Sequence, residues 1–134
     1  MQTSAEAVYL DSSALVKLVV EEPESVALRD RLMQDADQVA SAIVEVEVVR
    51  AIRRAAPELV ALAQDVVSQI AVVEPTEAIR ERAALLEPAT LRSLDALHLA
   101  TALEIGDDLD GLVTYDGRMS AVAETFGLHV LAPQ

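Results

Sequence analysis

The chain has no cysteine, no tryptophan and only one lysine, Lys17, among its 134 residues. Without cysteine it can have neither a disulfide framework nor a thiolate metal site. Its three aromatic residues are too few and too scattered to form a platform on which the bases of single-stranded nucleic acid could stack; they are Tyr9, Tyr115 and Phe126. These shortages exclude a disulfide-stabilised scaffold and a general single-strand binder.

Positive charge is also scarce, because 10 Lys and Arg residues face 23 Asp and Glu residues, a formal net charge of −13. This balance argues against non-specific attraction to nucleic acid or to an anionic membrane, so bound cations would have to meet any polyanionic substrate. The amino terminus lacks the basic-then-apolar layout of a signal peptide, and no apolar run approaches membrane-spanning length. We therefore expect a soluble cytoplasmic protein with no membrane partner.

Apolar residues make up 52% of the chain, which is enough for the core of one domain over residues 1–134. Short apolar runs alternate with longer helical patterns. Strands are predicted at residues 7–10, 39–40, 71–73, 111–114 and 129–131, and helices from residue 12 or 13 and over residues 24–36, 43–55, 57–70, 77–86, 93–105 and 117–126. Strands separated by helices predict a three-layer α/β/α sandwich with a central, mainly parallel sheet of four to five strands.

The first strand ends on an acid, Asp11, and passes through two hydroxyl residues into a helix. Ser12 or Ser13 is predicted to cap that helix, which leaves Asp11 at the carboxyl end of the strand, where ligands bind in open α/β sheets. Asp11 is equally good as the cap itself. Asp95 lies in the first turn of the helix that Ser93 is predicted to cap.

Asp116 follows the fourth predicted strand, so three separate segments direct a carboxylate to one edge of the sheet. Carboxylates gathered in this way repel one another unless cations intervene. Hard divalent cations such as Mg²⁺ and Mn²⁺ prefer oxygen ligands. The pattern therefore indicates a metal site suited to hydrolysis of phosphodiester bonds.

Four motifs together carry a family resemblance, and they lie at residues 9–17 (YLDSSALVK), 46–51 (VEVVRA), 93–102 (SLDALHLATA) and 113–118 (VTYDGR). Over nearly its whole length the chain resembles the PIN-domain ribonucleases, specifically the VapC-type toxins of bacterial toxin–antitoxin modules. The resemblance implies an endoribonuclease that uses Mg²⁺ or Mn²⁺ and leaves a 5′-phosphate and a 3′-hydroxyl. It also implies a homodimer and a VapB-like antitoxin, assembled as a heterotetramer or a larger complex.

The fourth acid of the site is either Glu45 or Glu47, which lie two residues apart on one helix and point about 200° apart. Periodicity favours Glu45, because its helical neighbours are apolar, whereas Glu47 shares a face with Arg50 and Arg54. The family pattern, an acid three residues before an arginine, matches Glu47 instead. The resemblance therefore implies Glu47, and Glu45 remains the alternative.

The resemblance thus implies four catalytic residues that also hold the metal, namely Asp11, Glu47, Asp95 and Asp116. Cations held there would polarise the phosphate and activate a water molecule for in-line attack. Ser12 and Thr114 are candidates to hydrogen-bond the ligand carboxylates, although both are equally suited to capping or turns. His98, among apolar neighbours, is expected to be a packed residue rather than a ligand.

The main alternative is a catalytically degenerate PIN domain that binds RNA or protein without cutting it. The complete set of four acids argues against this alternative. Divalent-metal binding that is lost in the Asp11→Asn variant would distinguish the two. A receiver domain is excluded because the chain has no lysine after Lys17, and a nucleotide-binding loop is excluded because its four glycines form no phosphate cradle.

Overall fold

The computed structural model describes residues 7–34 and 37–134. The strands are β1 Ala7–Leu10, β2 Asp37–Ser41, β3 Ala71–Val73, β4 Leu109–Val113 and β5 Val130–Leu131. They form one sheet in the order β3-β2-β1-β4-β5, and every neighbouring pair is parallel. In the described residues the helices are α1 Ser12–Val19, α2 Ser25–Leu32, α3 Val44–Ala55, α4 Val60–Ser68, α5 Glu77–Leu85, α6 Ser93–Ile105 and α7 Gly117–Thr125.

The central strand β1 is buried on both faces because its alternate side chains enter two different cores. Val8 and Leu10 pack into the core formed largely by α1, α2, α3 and α4. Tyr9, between them, packs with residues of α6, β4 and α7, including Leu99 and Met119. Helices therefore cover both faces of the sheet, and the predicted three-layer α/β/α sandwich is confirmed, with five strands that are all parallel.

Several predicted boundaries differ from the observed ones. The predicted helix over residues 57–70 begins as a 3₁₀ turn at Pro57–Leu59 and becomes α-helical only at Val60–Ser68. The helix predicted over residues 24–36 ends at Leu32, and residues 35 and 36 lie outside the described residues. The weak strand predicted at residues 39–40 is longer, because it pairs with strands on both sides.

The structure decides between the alternatives for one helix cap and corrects another. The N-cap of α1 is Asp11 rather than Ser12 or Ser13, and its side chain accepts the backbone N–H of Ala14. The N-cap of α6 is Arg92, in extended conformation and without a side-chain capping bond, so Ser93 is already the first helical residue. Asp11 therefore both follows the strand β1 directly and caps the helix α1.

The order of the strands places the carboxyl ends of β1 and β4 side by side. From β1 the chain adds β2 and β3 on one side and later β4 and β5 on the other, so the topology reverses between β1 and β4. The backbone N–H of Asp11 donates to the carbonyl of Val113, which joins the two strand ends. Such a reversal point is where α/β sheets bind ligands. Within the described residues, no helix is both long and apolar enough to cross a membrane.

Candidate active site

All four predicted acids line one pocket of about 360 Å³ at this reversal point. Asp11 follows β1, Glu47 lies on α3, Asp95 lies in the first turn of α6, and Asp116 is the N-cap of α7. The other residues that line the pocket are Ser12, Ser13, Arg92, Ser93 and Leu94. The fold therefore brings together four carboxylates from four separate segments of the chain.

Asp11 is the most buried of these acids, with 3% of its surface exposed. Its Oδ1 accepts the hydroxyl of Ser13 at 2.6 Å and the N–H of Ala14 at 3.0 Å, and its Oδ2 accepts the hydroxyl of Thr114. Burial raises the pKa of the Asp11 carboxyl, and the hydrogen bonds from Ser13 and Thr114 oppose that rise. The carboxylate is thus held in one orientation by neutral donors.

The same two hydroxyls connect Asp11 to the segment that carries Asp116. The Ser13 oxygen accepts the N–H of Tyr115 at 3.0 Å, and the Thr114 oxygen accepts the N–H of Asp116 at 3.1 Å. The contact predicted for Thr114 is present. The second hydroxyl that contacts Asp11 belongs to Ser13 rather than to Ser12, which lines the pocket without a side-chain hydrogen bond among the described residues.

Arg92 lies between the other two aspartates. Its Nε donates to Oδ2 of Asp95 at 2.9 Å, and its Nη2 donates to Oδ2 of Asp116 at 3.1 Å. Oδ1 of Asp116 caps α7 by accepting the N–H groups of Arg118 and Met119. Sequence reasoning missed Arg92, although its position three residues before Asp95 on a helix start was a usable signal.

Glu47, rather than Glu45, reaches the pocket. Its Oε1 lies 2.7 Å from Nε2 of His98. Glu45 is exposed and lines a different cavity, with Gln64 and Val67 of α4. The periodicity argument that favoured Glu45 is therefore wrong about which acid faces the other three.

His98 is buried, with 1% of its surface exposed, as expected for a packed histidine. Its Nδ1 lies 2.6 Å from the hydroxyl of Tyr9, which in turn accepts the backbone N–H of Ser41 at 3.0 Å. Burial raises the pKa of the Tyr9 hydroxyl. The contact between His98 and Glu47 was not foreseen, although a histidine three residues after Asp95 shares its helix face.

The donor set fits a hard divalent cation, because all four acids offer oxygen ligands. Arg92 shows that positive charge is stabilised between Asp95 and Asp116. In the arrangement observed, however, no group of three or more Asp, Glu or His side chains in residues 7–34 and 37–134 is close enough to hold a metal ion. Arg92 occupies Oδ2 of both Asp95 and Asp116, so a cation bound to either oxygen would compete with it.

Residues 8–125 match the PIN domain family. Ribonuclease VapC46 of Mycobacterium tuberculosis strain H37Rv is 42% identical over 127 residues, which cover 95% of this chain and 98% of that protein. Ribonuclease VapC35 of M. tuberculosis strain CDC 1551 is 44% identical over 130 residues, which cover 94% of this chain and 96% of the relative. Sequence similarity therefore extends over almost the whole of each protein.

Solved structures show the same fold. M. tuberculosis VapC20, described as a sarcin-ricin loop cleaving toxin, superposes with a TM-score of 0.75 at 17% identity, covering 95% of this chain and all of that one. A toxin–antitoxin complex from Klebsiella pneumoniae contains a chain with a TM-score of 0.72 at 22% identity, covering 96% of this chain and 98% of that one. From its PIN domain and its near full-length similarity to VapC ribonucleases, we conclude that the chain belongs to the PIN-domain family, among the VapC proteins.

Proposed function

We propose that the chain is an endoribonuclease toxin that hydrolyses phosphodiester bonds of RNA in a metal-dependent reaction and is inhibited by a cognate antitoxin. The observation that carries the proposal is the convergence of four carboxylates in one pocket at the reversal point of the sheet. The names of the relatives, ribonucleases similar over more than nine tenths of the chain, support the same reaction.

Mg²⁺ or Mn²⁺ is the proposed cofactor, and the residues that would hold it are Asp11, Glu47, Asp95 and Asp116. A bound divalent cation supplies charge stabilisation at the phosphate and activation of the attacking water. The role of the protein's own residues in this chemistry is to orient the oxygen ligands. Asp11 is already fixed by its contacts with Ser13, Ala14 and Thr114.

Arg92 has a separate part in the proposed reaction. Its guanidinium and a divalent cation compete for the same two carboxylates, so cation binding would free one or more of its N–H groups. Its side chain is 62% exposed and can swing toward a phosphate at the mouth of the pocket. Arginine suits this task because its planar group donates two parallel hydrogen bonds to phosphate oxygens.

A second pocket, of about 390 Å³, adjoins the acidic one, and we infer that the RNA backbone follows it. The two pockets share Ser12, Ser13, Glu47 and Leu94, and the second is also lined by Arg50 and Arg54, one helical turn apart. Neither arginine takes part in an ion pair within residues 7–34 and 37–134. We infer that they bind phosphates next to the scissile one.

Replacing Arg54 by Glu should weaken RNA binding and reduce its dependence on salt. Each lost contact with a single strand lowers the slope of log affinity against log salt by about 0.7. Filter binding of the Asp11→Asn protein to RNA over a range of salt concentrations measures both effects. Arg53→Glu is the matched control, since Arg53 lies on the same helix, carries the same charge and lines neither pocket. Equal weakening of RNA binding by both variants would contradict a path for the RNA along the second pocket.

The proposed assembly is a homodimer that binds a VapB-like antitoxin as a heterotetramer or a larger complex in the cytoplasm. Exposed apolar side chains support a protein partner, since Val46 is 61% and Leu85 83% exposed. The net charge of −13 suits a basic antitoxin segment that folds on binding. Light scattering of the chain alone and with its antitoxin measures these stoichiometries.

The proposed activity is tested by expressing the wild type and the Asp11→Asn variant without antitoxin and sequencing all RNA ends that bear a 5′-phosphate. We expect new ends at a few sites with the wild type and none with the variant. Identical end maps from two folded, soluble proteins would favour the alternative, a degenerate PIN domain that binds RNA or protein without cutting it. The sites found would also identify the target RNA.

A further inference from the structure

A continuous chain of hydrogen bonds runs from the sheet to Glu47 through the buried core. The backbone N–H of Ser41, at the end of β2, reaches the hydroxyl of Tyr9 on β1. That hydroxyl lies 2.6 Å from Nδ1 of His98, and Nε2 of His98 lies 2.7 Å from Oε1 of Glu47. The relay thus connects two strands, α6 and α3, and its last member lines the acidic pocket.

The protons of this relay can be assigned from its two ends. The N–H of Ser41 can only donate, so the Tyr9 oxygen accepts there and has its own proton to give to Nδ1 of His98. An ionised carboxylate can only accept, so the proton between His98 and Glu47 belongs to Nε2. The Glu47 end therefore places a proton on Nε2 of His98, and a neutral His98 then accepts the Tyr9 hydroxyl at Nδ1.

Glu47 is the acid that most needs such a partner. Asp11 and Asp116 are both held by N–H groups at helix starts, and Asp95 is held by Arg92. Glu47 lies in the first turn of α3, with a longer side chain that has one more rotatable bond than aspartate. Fixing such a side chain costs conformational entropy, which a preformed hydrogen bond offsets.

We propose that His98 is a positioning residue that donates its Nε2 proton to Glu47 and so holds that carboxylate in the acidic pocket, with the Tyr9 hydroxyl as the partner of Nδ1. This inference rests on the proposed function only where Glu47 is taken to be a metal ligand. The hydrogen bond between His98 and Glu47 does not depend on which substrate the protein cuts. Hydrogen-bonded partners of this kind orient metal ligands in proteins generally.

The tautomer can be read directly by long-range ¹H–¹⁵N NMR of the histidine rings. The chain has two histidines, His98 and His129, so a His129→Gln variant assigns both sets of signals. We expect His98 to carry its proton on Nε2 at neutral pH without RNA. A proton on Nδ1 alone would overturn the proposal. In Tyr9→Phe, which keeps the ring and removes the hydroxyl, Glu47 still accepts the Nε2 proton, so we expect the Nε2 form to persist and the Nδ1 signal of His98 to shift because that nitrogen loses its donor.

The consequence for the site is tested by comparing His98→Leu with His98→Gln. Leucine fills the space without a donor, whereas the amide N–H of glutamine can replace the Nε2 proton. We expect His98→Leu to lower both Mn²⁺ affinity and kcat by about 10- to 100-fold, with KM for RNA little changed, and His98→Gln to restore most of the loss. Thermal unfolding of each variant establishes that it is folded.

A folded His98→Leu protein with wild-type Mn²⁺ affinity would overturn the positioning role. If His98→Leu does not fold, the wild-type NMR spectrum and His98→Gln still decide the question. Failure of the proposed function can be distinguished from failure of the positioning role. If the wild-type chain cuts no RNA, the tautomer of His98 and the Mn²⁺ affinity can still be measured.

Discussion

The two halves of the acidic pocket are built differently. Asp11 is fixed by two hydroxyls and a backbone N–H, and Glu47 lies against the buried imidazole of His98, all of which belong to the fold. Asp95 and Asp116 are instead bridged by Arg92, an exposed side chain with full charge, although Oδ1 of Asp116 also accepts two N–H groups of α7. The first half of the site is thus preorganised by folding, whereas the facing oxygens of the second half are held by a cation that can be exchanged.

The halves also differ in what they do to stability. The Asp11 charge is almost completely buried, so its ionisation opposes folding even though three donors surround it. Asp116 is partly exposed and caps α7, where a negative charge near the helix start is favourable. The ionised Asp11 carboxylate therefore costs stability, whereas Asp116 contributes to it.

The largest expected effect is the loss of cleavage in Asp11→Asn. Asparagine can keep the bonds from Ser13 and Ala14 and reverse the one with Thr114, so the fold should persist while the charge is lost. Changing residues that only orient a metal ligand costs about 10- to 100-fold, so loss of the carboxylate itself should exceed about 100-fold. Cleavage rates of the purified proteins on a mapped RNA target measure it. A rate near that of the wild type would show that the Asp11 carboxylate is not needed for cleavage.

Arg92→Gln should strengthen divalent-cation binding, because it removes the cation that competes for Asp95 and Asp116. Loss of one adjacent positive charge in a solvated site predicts an increase in Mn²⁺ affinity of about fivefold. Titration of free Mn²⁺ by electron paramagnetic resonance measures it. Arg118→Gln is the control, since Arg118 is a nearby exposed arginine whose side chain contacts neither acid. Weaker Mn²⁺ binding by Arg92→Gln would contradict the proposal that a divalent cation replaces Arg92 at these two carboxylates.

Asp116→Ala should reduce the free energy of unfolding by about 1 kcal/mol, because two N–H groups at the start of α7 lose their acceptor. Asp116→Asn should have a much smaller effect, since asparagine caps helices about as well as aspartate. Urea unfolding of both variants measures the difference. Equal losses would show that the charge, rather than the cap, stabilises α7.

Asp11→Asn should increase stability at neutral pH in the presence of a chelator. The folded-state pKa of Asp11 is raised above its ordinary value of 3.8, so the folded chain holds this proton more tightly than the unfolded chain does. The wild type therefore loses stability as the pH rises from that ordinary value through the folded-state pKa. Asparagine does not ionise, so the variant should become more stable than the wild type as the pH rises through this range and should remain so at higher pH. Urea midpoints between pH 4 and pH 8 test the sign, and an advantage independent of pH would contradict it.

Much of the fold could be predicted from the sequence because its signals are local. The apolar run 7–10 and the helical patterns between strands are enough for a parallel sheet with helices on both faces. Asp11 and Asp116 could be assigned to one edge because both follow strand ends. The strand order, and hence the neighbourhood of β1 and β4, depends on packing across the whole chain and is not visible in any segment.

The choice between Glu45 and Glu47 shows why the rest of the site could not be predicted by pattern alone. Both acids flank the buried stripe of α3, formed by Val44, Val48 and Ile52, on opposite sides. A helical wheel cannot tell which flank faces the sheet edge. Packing decides it, because α4 lies beside Glu45 and His98 of α6 lies beside Glu47. Only the family pattern carried that information.

The contacts of Arg92 with Asp116 and of His98 with Glu47 were missed for a related reason. Each partner is distant in sequence, so no local spacing reveals these two contacts, whereas the Arg92–Asp95 pair is local. The cap of α1 was left open between Asp11 and the two serines because Asp, Ser and Ser stand in a row and all three cap helices well. Local chemistry was ambiguous there, and the geometry of the strand end resolved it.

The central claim is that the pocket cuts RNA by binding a divalent cation on its carboxylates. The most direct test is the cleavage rate of a defined RNA by the purified chain as a function of added Mn²⁺, with Asp11→Asn measured in parallel. We expect no cleavage in chelator, a saturable rise with Mn²⁺ for the wild type and no rise for the variant. Cleavage by the wild type at full rate in chelator would contradict it.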